Sequence, residues 1–295
     1  MPYQKILVPL DGSDLAERVV QPALALAEAM GGSVTLLTVV TRKPGNDPDL
    51  MAKAIQSGSY EAGLYLRAVQ KRFMPTLAPV ETAVVTGKPE NAIIAFAREN
   101  AIELIIMSTH GRSGLTRWSF GRVADKVLRR SPCPTVILRS DKEIKPEKFR
   151  RILLPLDGSA LAERTVDPAI LMAEHLAVEL LLLRVVERSA FYGFGHDEES
   201  MEREIQEAQV YLETVKARIN LPHVPMSCHV LKGPATDVIV DFAETEKVDL
   251  IVLSSRGDSG FDAWMFGSVA EKVMKGAPCA ILVIRQEPFI AVLPE

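Results

Sequence analysis

Cysteine is scarce in these 295 residues: there are three, Cys133, Cys228 and Cys279. An odd, scattered set without metal spacing excludes a disulfide framework and reads as reduced thiols, with a cytoplasmic location expected. Charge of one sign is not in excess either. The 34 basic and 38 acidic side chains leave a net −4, which gives no footprint for nucleic-acid binding. No apolar run reaches the roughly 18–20 residues that crossing a bilayer requires, so no membrane partner is expected. Met1-Pro2-Tyr3-Gln4-Lys5 runs straight into a strand-like segment, and no signal peptide is expected. The chain also lacks a Gly-x-x-x-x-Gly-Lys-[Ser/Thr] loop, a Gly-x-Gly-x-x-Gly fingerprint, a Gly-x-Ser-x-Gly elbow and an acid–base dyad, so no dedicated catalyst is expected. What remains is 47% apolar and 24% charged, an ordinary globular balance. At roughly 100–200 residues per domain, the length suggests two domains.

The chain is written twice. Ile6-Leu7-Val8-Pro9-Leu10-Asp11-Gly12-Ser13 returns as Ile152-Leu153-Leu154-Pro155-Leu156-Asp157-Gly158-Ser159, an offset of 146. Over positions 6–30, 16 of 25 residues equal their partners at that offset, and Gly111, Trp118, Gly121 and Pro132-Cys133 return as Gly257, Trp264, Gly267 and Pro278-Cys279. A constant offset without net insertion means tandem duplication. The expected boundaries are 1–140, a charged linker 141–150, 151–286, and an apolar tail 287–295. Charge divides unevenly. Residues 1–150 hold 21 basic and 15 acidic side chains (+6), and residues 151–295 hold 13 and 23 (−10).

Within each half, short apolar runs alternate with helical patterns. Strands are expected at 3–10, 33–40, 80–85, 102–108 and 135–139, and helices at 14–30, 50–73, 89–100 and 115–130. Ser13 or Asp14 caps the first helix, and Gly31-Gly32 stops it. This order predicts α/β halves, each a doubly wound parallel sheet. Ligands of such sheets bind beyond the strands' carboxyl ends, where the winding reverses. The turn-rich loops there are Asp11-Gly12-Ser13 and Ser108-Thr109-His110-Gly111. In the first half Gly121-Arg122 follows nine residues after Gly111; in the second, Ser254-Ser255-Arg256-Gly257 precedes Gly267-Ser268 by the same gap. Small residues let main-chain amides approach an anion, and a helix start there would hold phosphate.

On these residues both halves resemble the universal stress protein family, whose nucleotide-binding members carry Gly-x-x-Gly, nine residues, then Gly-Ser or Gly-Thr after strand four and an aspartate after strand one. The resemblance covers nearly the whole chain, twice. It implies five strands in the order 3-2-1-4-5 in each half, with the halves joined as an internal pseudo-dimer through strand five. It also implies an adenine nucleotide (ATP, AMP or ADP, with Mg) at the carboxyl edge. Carried over by position, Asp11 and Asp157 would meet the adenine or ribose end, Pro9 and Pro155 would line that pocket, and Val39 and Val185 would pack on the base. Gly257, Gly267 and Ser268, with Val269 beside them, would meet the phosphates in the second half; Gly111 and Gly121 match in the first.

The departures are Ser108 and Ser254 in place of the motif's first glycine, and Arg122 in place of Ser or Thr. Arg122 either pairs with a phosphate bidentately or blocks the pocket. Asp258 and Asp262 in the second loop would repel a triphosphate unless they point outward or share a metal. Elsewhere, His110 and Arg256 sit in the loops, and His223, Cys228 and His229 match no zinc spacing. Trp118, Trp264, Cys133 and Cys279 read as packing residues. The function expected is a ligand-dependent stress-response regulator, the alternative being a nucleotide-free interaction or chaperone-like module.

Overall fold

A computed structural model describes residues 3–41, 48–109, 121–138, 149–187, 198–219, 221–255 and 266–285. The chain forms two compact units, Met1–Lys148 and Phe149–Gln286. In the first, the order is β1 (Lys5–Leu10), α1 (Asp14–Glu17), α2 (Val20–Met30), β2 (Ser33–Val40), α3 (Pro48–Arg72), β3 (Val80–Thr86), α4 (Pro89–Glu99), β4 (Leu104–Ser108), α5 (Arg122–Arg130) and β5 (Thr135–Leu138). The second repeats it as β6 (Arg151–Pro155), α6 (Ala160–Glu163), α7 (Val166–Leu176), β7 (Glu179–Val186), α8 (Glu198–Ile219), β8 (Met226–Lys232), α9 (Ala235–Thr245), β9 (Leu250–Ser254), α10 (Ser268–Gly276) and β10 (Ala280–Ile284).

All strand pairs within each unit are parallel. In the first unit the order is β3-β2-β1-β4-β5, and the second has the corresponding β8-β7-β6-β9-β10. This is the expected 3-2-1-4-5 order, with strands one and four adjacent. Every residue of β4 is buried, as a parallel strand covered on both faces must be. Ile6, Leu7, Leu104 and Ile105 are 0% exposed, as are Ile152, Leu153 and Ile251, so each core sits at the β1/β4 or β6/β9 seam.

Expected bounds are corrected in three places: β4 starts at Leu104 rather than 102, Gly121 within the helix expected at 115–130 is an extended N-cap (φ −59°, ψ 146°) so that α5 starts at Arg122, and the first helix is divided. The segment 14–30 is two helices, not one: a single turn, α1, and then α2 from Val20. Pro22 is the cause. It has no N–H for the carbonyl four residues back, at Arg18, and its ring crowds that oxygen, so a helix tolerates it only in a first turn. Pro168 imposes the same break between α6 and α7. Among the described residues, no helix is long and apolar enough to cross a membrane.

Candidate functional site

Each first strand ends in an Asp-Gly-Ser turn. Gly12 stands at φ 81°, a left-handed conformation that costs a side chain and costs glycine nothing. That bend folds Ser13 back on Asp11, whose Oδ1 accepts from the Ser13 amide at 3.0 Å and from its hydroxyl at 2.6 Å. Ser13 Oγ accepts in turn from Ala16 N at 3.2 Å, so Ser13 rather than Asp14 caps α1. The second unit repeats the turn: Gly158 at φ 81°, Ser159 N and Oγ donating to Asp157 Oδ1 at 2.9 and 2.6 Å, and Ala162 N donating to Ser159 Oγ at 3.1 Å. Asp11 and Asp157 are both exposed at the carboxyl edge.

The fourth strand of each unit feeds a helix start beside that turn. Thr109 N donates to Leu138 O at 3.0 Å, and Thr109 O accepts from Gly121 N at 2.8 Å. Gly121 is thereby held as the N-cap of α5, with no side-chain cap among the described residues. Ser255 makes the matching bonds to Ile284 (2.9 Å) and Gly267 (3.0 Å), and Gly267 caps α10, again without a side chain. An uncapped helix start offers first-turn amides to an anion. Strand register sets turn and helix start level. Ile6 lies opposite Leu104, and Asp11 and Thr109 each follow five residues later. Ile152 lies opposite Leu250, with Asp157 and Ser255 five residues on.

Around this frame the expected residues distribute as follows. Pro9 and Pro155 are half-buried near the ends of β1 and β6, beside Leu37 and Leu183. Val39 and Val185 are half-buried near the ends of β2 and β7. Ser108 is buried at the end of β4, and Ser254 is half-buried at the end of β9. Ser268 is the exposed first residue of α10 with half-buried Val269 next to it. Gly111 and Gly257 lie outside the described residues, as do His110, Arg256, Asp258, Asp262, Trp118, Trp264 and the segments 141–148 and 287–295. Cys133 and Cys279 are buried, and burial pushes the Cys133 thiol up to about 11. His223 faces Glu174 at 3.1 Å, and His229 faces the Ser227 hydroxyl at 2.9 Å.

Arg122 is the exposed first residue of α5. Its charge acts on Glu90, in the first turn of α4. A hydrogen bond from Lys126 Nζ at 2.5 Å is the main influence holding the Glu90 carboxyl below the usual carboxylate range, and Arg122 adds to it. The second unit has Ser268, Thr236 and Lys272 at these places, so that carboxylate is absent there.

Sequence reasoning missed a pair of tyrosines. The hydroxyls of Tyr65 on α3 and Tyr211 on α8 are buried, close to the carboxylates of Glu17 and Glu163. Burial first, and then the carboxylates of Glu17 and Asp11, oppose ionisation of Tyr65. Burial and then Glu163, with a smaller part from Asp157, push Tyr211 up to about 12. Glu17 pairs with Arg72, and Glu163 with Arg218 at 3.0 Å. Every member of the set recurs at the offset of 146, the one signal that would have found it.

Fold and site together define a tandem α/β protein that repeats, in each unit, an Asp-Gly-Ser turn and a glycine-capped helix start at the carboxyl edge of a parallel sheet. A sequence model of the Universal stress protein family matches twice, at residues 2–139 and 148–285, and the chain belongs to that family. Universal stress protein MJ0531 of Methanocaldococcus jannaschii is 34% identical over 141 residues, 47% of this chain and 83% of that protein. A universal stress protein of Mycolicibacterium smegmatis is 23% identical over 288 residues, 95% of this chain and 96% of its own. In fold, the crystal structure of a universal stress protein from Archaeoglobus fulgidus covers 97% of this chain and 100% of its own, with a TM-score of 0.74 at 21% identity.

Proposed function

We propose that each half binds an adenine nucleotide at its carboxyl edge, and that occupancy biases the protein between states of different partner affinity in a cytoplasmic stress response. The observation that supports this reading is the level placement of an exposed aspartate turn beside an uncapped helix start, twice. The sugar end of the nucleotide lies at Asp11 or Asp157. The phosphates, with or without Mg, take the first-turn amides after Gly121 or Gly267 and the Ser268 hydroxyl. A ligand shifts such an equilibrium only by binding the two states differently. By family resemblance we also propose that strand five of one half pairs with strand five of the other, and that 141–150 is the linker between them.

One observation favours the second reading, a nucleotide-free interaction module, for the first half. Lys126 already bonds Glu90, and the charge of Arg122 also acts on that carboxylate, so positive charge at this helix start is partly answered within the protein. Calorimetric titration with ATP separates the readings. The native chain is expected to release heat, and Gly267→Val is expected to abolish the second unit's share by filling the helix start. No heat from the native chain across millimolar ATP transfers the conclusion to the interaction module.

A further inference from the structure

The two Asp-Gly-Ser turns are backed by different side chains. Thr38 on β2 donates from Oγ1 to Leu10 O at 3.2 Å. The residue 146 positions on is Arg184 on β7, and its Nη1 donates to the equivalent carbonyl, Leu156 O, at 3.4 Å. The arginine thus replaces the threonine's bond and carries a guanidinium past it to the turn. A Cβ placed on Gly158 would lie 3.3 Å from Arg184 Nη1 and 3.7 Å from both Cζ and Nη2, so the cation rests against the turn residue between Asp157 and Ser159. On its other side Cζ lies 6.0 Å from the centroid of the Tyr211 ring, at the outer limit of cation–π attraction. Among the described residues Arg184 has no carboxylate ion pair, and it is half-buried. One long main-chain bond uses little of a guanidinium's five donors.

Chemistry gives that placement a meaning. A carboxylate at the sugar end of a nucleotide crevice accepts from a ribose hydroxyl and repels a phosphate ester there, whereas an adjacent arginine accommodates the phosphate. The first unit has the carboxylate with a neutral Thr38; the second has the carboxylate with Arg184. The opposite end of the cleft is reversed, with Arg122 at the helix start in the first unit and Ser268 in the second. We infer that Arg184 is a specificity-determining residue that directs the second half towards adenine nucleotides bearing a phosphate ester on the ribose 2′ or 3′ oxygen, while the first half takes nucleotides with an unmodified sugar. This rests on the reading above, in which the Asp157 turn holds the sugar.

The test is calorimetry on the full chain with AMP, adenosine 2′,5′-bisphosphate and adenosine 3′,5′-bisphosphate; the two bisphosphates show which sugar oxygen is read. The native chain is expected to show one site that prefers a bisphosphate over AMP by about tenfold or more, the value of one charge-assisted bond. Arg184→Thr is expected to remove that preference while keeping AMP binding. Thr38→Arg, which leaves the second unit untouched, is expected to create a second preferring site. Arg184→Lys retains the charge without the fork and is expected to fall between. If AMP binds and Arg184→Thr leaves the preference unchanged, or the native chain has no preference, the inference is wrong and the nucleotide reading stands. If neither AMP nor ATP nor either bisphosphate binds, both fall.

Discussion

Gly12 and Gly158 share φ 81°, and the bonds from Ser13 and Ser159 to the preceding aspartate agree within 0.1 Å. Arg122 and Ser268 share only their place in the fold, and Thr38 and Arg184 share one bond to the strand-end carbonyl but not their charge. The two halves therefore agree where a backbone torsion, a cap or a sealed core leaves no freedom. They diverge where a side chain meets solvent or the cleft. Duplication of one unit has preserved geometry and released charge, to the extent of +6 against −10. The lesson is that equivalence of fold in the two halves is separate from equivalence of ligand.

The largest test of the shared part is a core truncation made in each half. Leu7 and Leu153 are both 0% exposed on the central strand of their sheets. Truncation to alanine removes transfer energy and leaves a cavity, so Leu7→Ala and Leu153→Ala are each expected to cost about 2–5 kcal/mol. Urea unfolding followed by circular dichroism measures both. A twofold or larger disparity between the two costs would show that the cores are not equivalent in energy, whatever their sequence.

How much of this was legible depends on the range of the interaction involved. The strand at 33–40 is found at those residues, because a short apolar run closed by glycine in front and polar residues behind is a local signal. The strand expected from Ile102 starts at Leu104 instead. Ile102 N still bonds Ala97 O as part of the end of α4, and no periodicity distinguishes that. Pro22 and Pro168 were visible as letters, but their consequence depends on which carbonyl lies four residues back. At the site, the aspartate turn and the glycine before the last helix could be read from the repeat. The repeat returns Tyr65 as Tyr211 but not the burial of their hydroxyls, and it returns Thr38 as Arg184, so neither that burial nor the cation beside the turn could be read from it. Tyr211 is placed by the long helix α8 and Arg184 by the neighbouring strand β7, 54 and 27 residues after Asp157 in the chain.

A smaller effect sharpens the comparison at the end of the second helix. Gly31 and Ala177 occupy the same left-handed cap, at φ 63° and 53°. The following amides reach back to close it, Gly32 N to Ala27 O at 2.8 Å and Val178 N to Ala173 O at 3.1 Å. A Cβ on Gly31 would meet nothing within 4 Å, so strain alone separates the residues there. The left-handed conformation costs an L-residue roughly 1–2 kcal/mol, partly offset by the extra freedom glycine has in the unfolded chain. Ala177→Gly is expected to stabilise the second unit by about 0.5–1 kcal/mol, and Gly31→Ala to destabilise the first by a similar amount. The midpoint of urea unfolding reads both. A loss on Ala177→Gly would mean that the methyl's packing outweighs its torsion.

The smallest effect concerns one exposed carboxylate whose partners differ between the halves. Glu28 Oε1 accepts from the Thr76 hydroxyl at 2.7 Å and from Leu77 N at 2.8 Å, whereas its equivalent Glu174 faces the His223 imidazole. The Thr76 bond first, then the main-chain bond, hold the Glu28 carboxyl below its ordinary 4.5. A carboxyl depressed in the folded state binds its proton more weakly there than in the unfolded chain. Its contribution is therefore complete above 4.5 and is lost as pH falls through the folded value. Because the site is solvated, that contribution is expected to be below about 1 kcal/mol. Neither donor titrates between pH 8 and 5. The stability gap between the native chain and Glu28→Gln is thus expected to stay level across that range and to close under more acid conditions, as followed by urea unfolding at successive pH values. A gap that widened on acidification would reverse the sign of the linkage and assign the effect to some group other than Glu28.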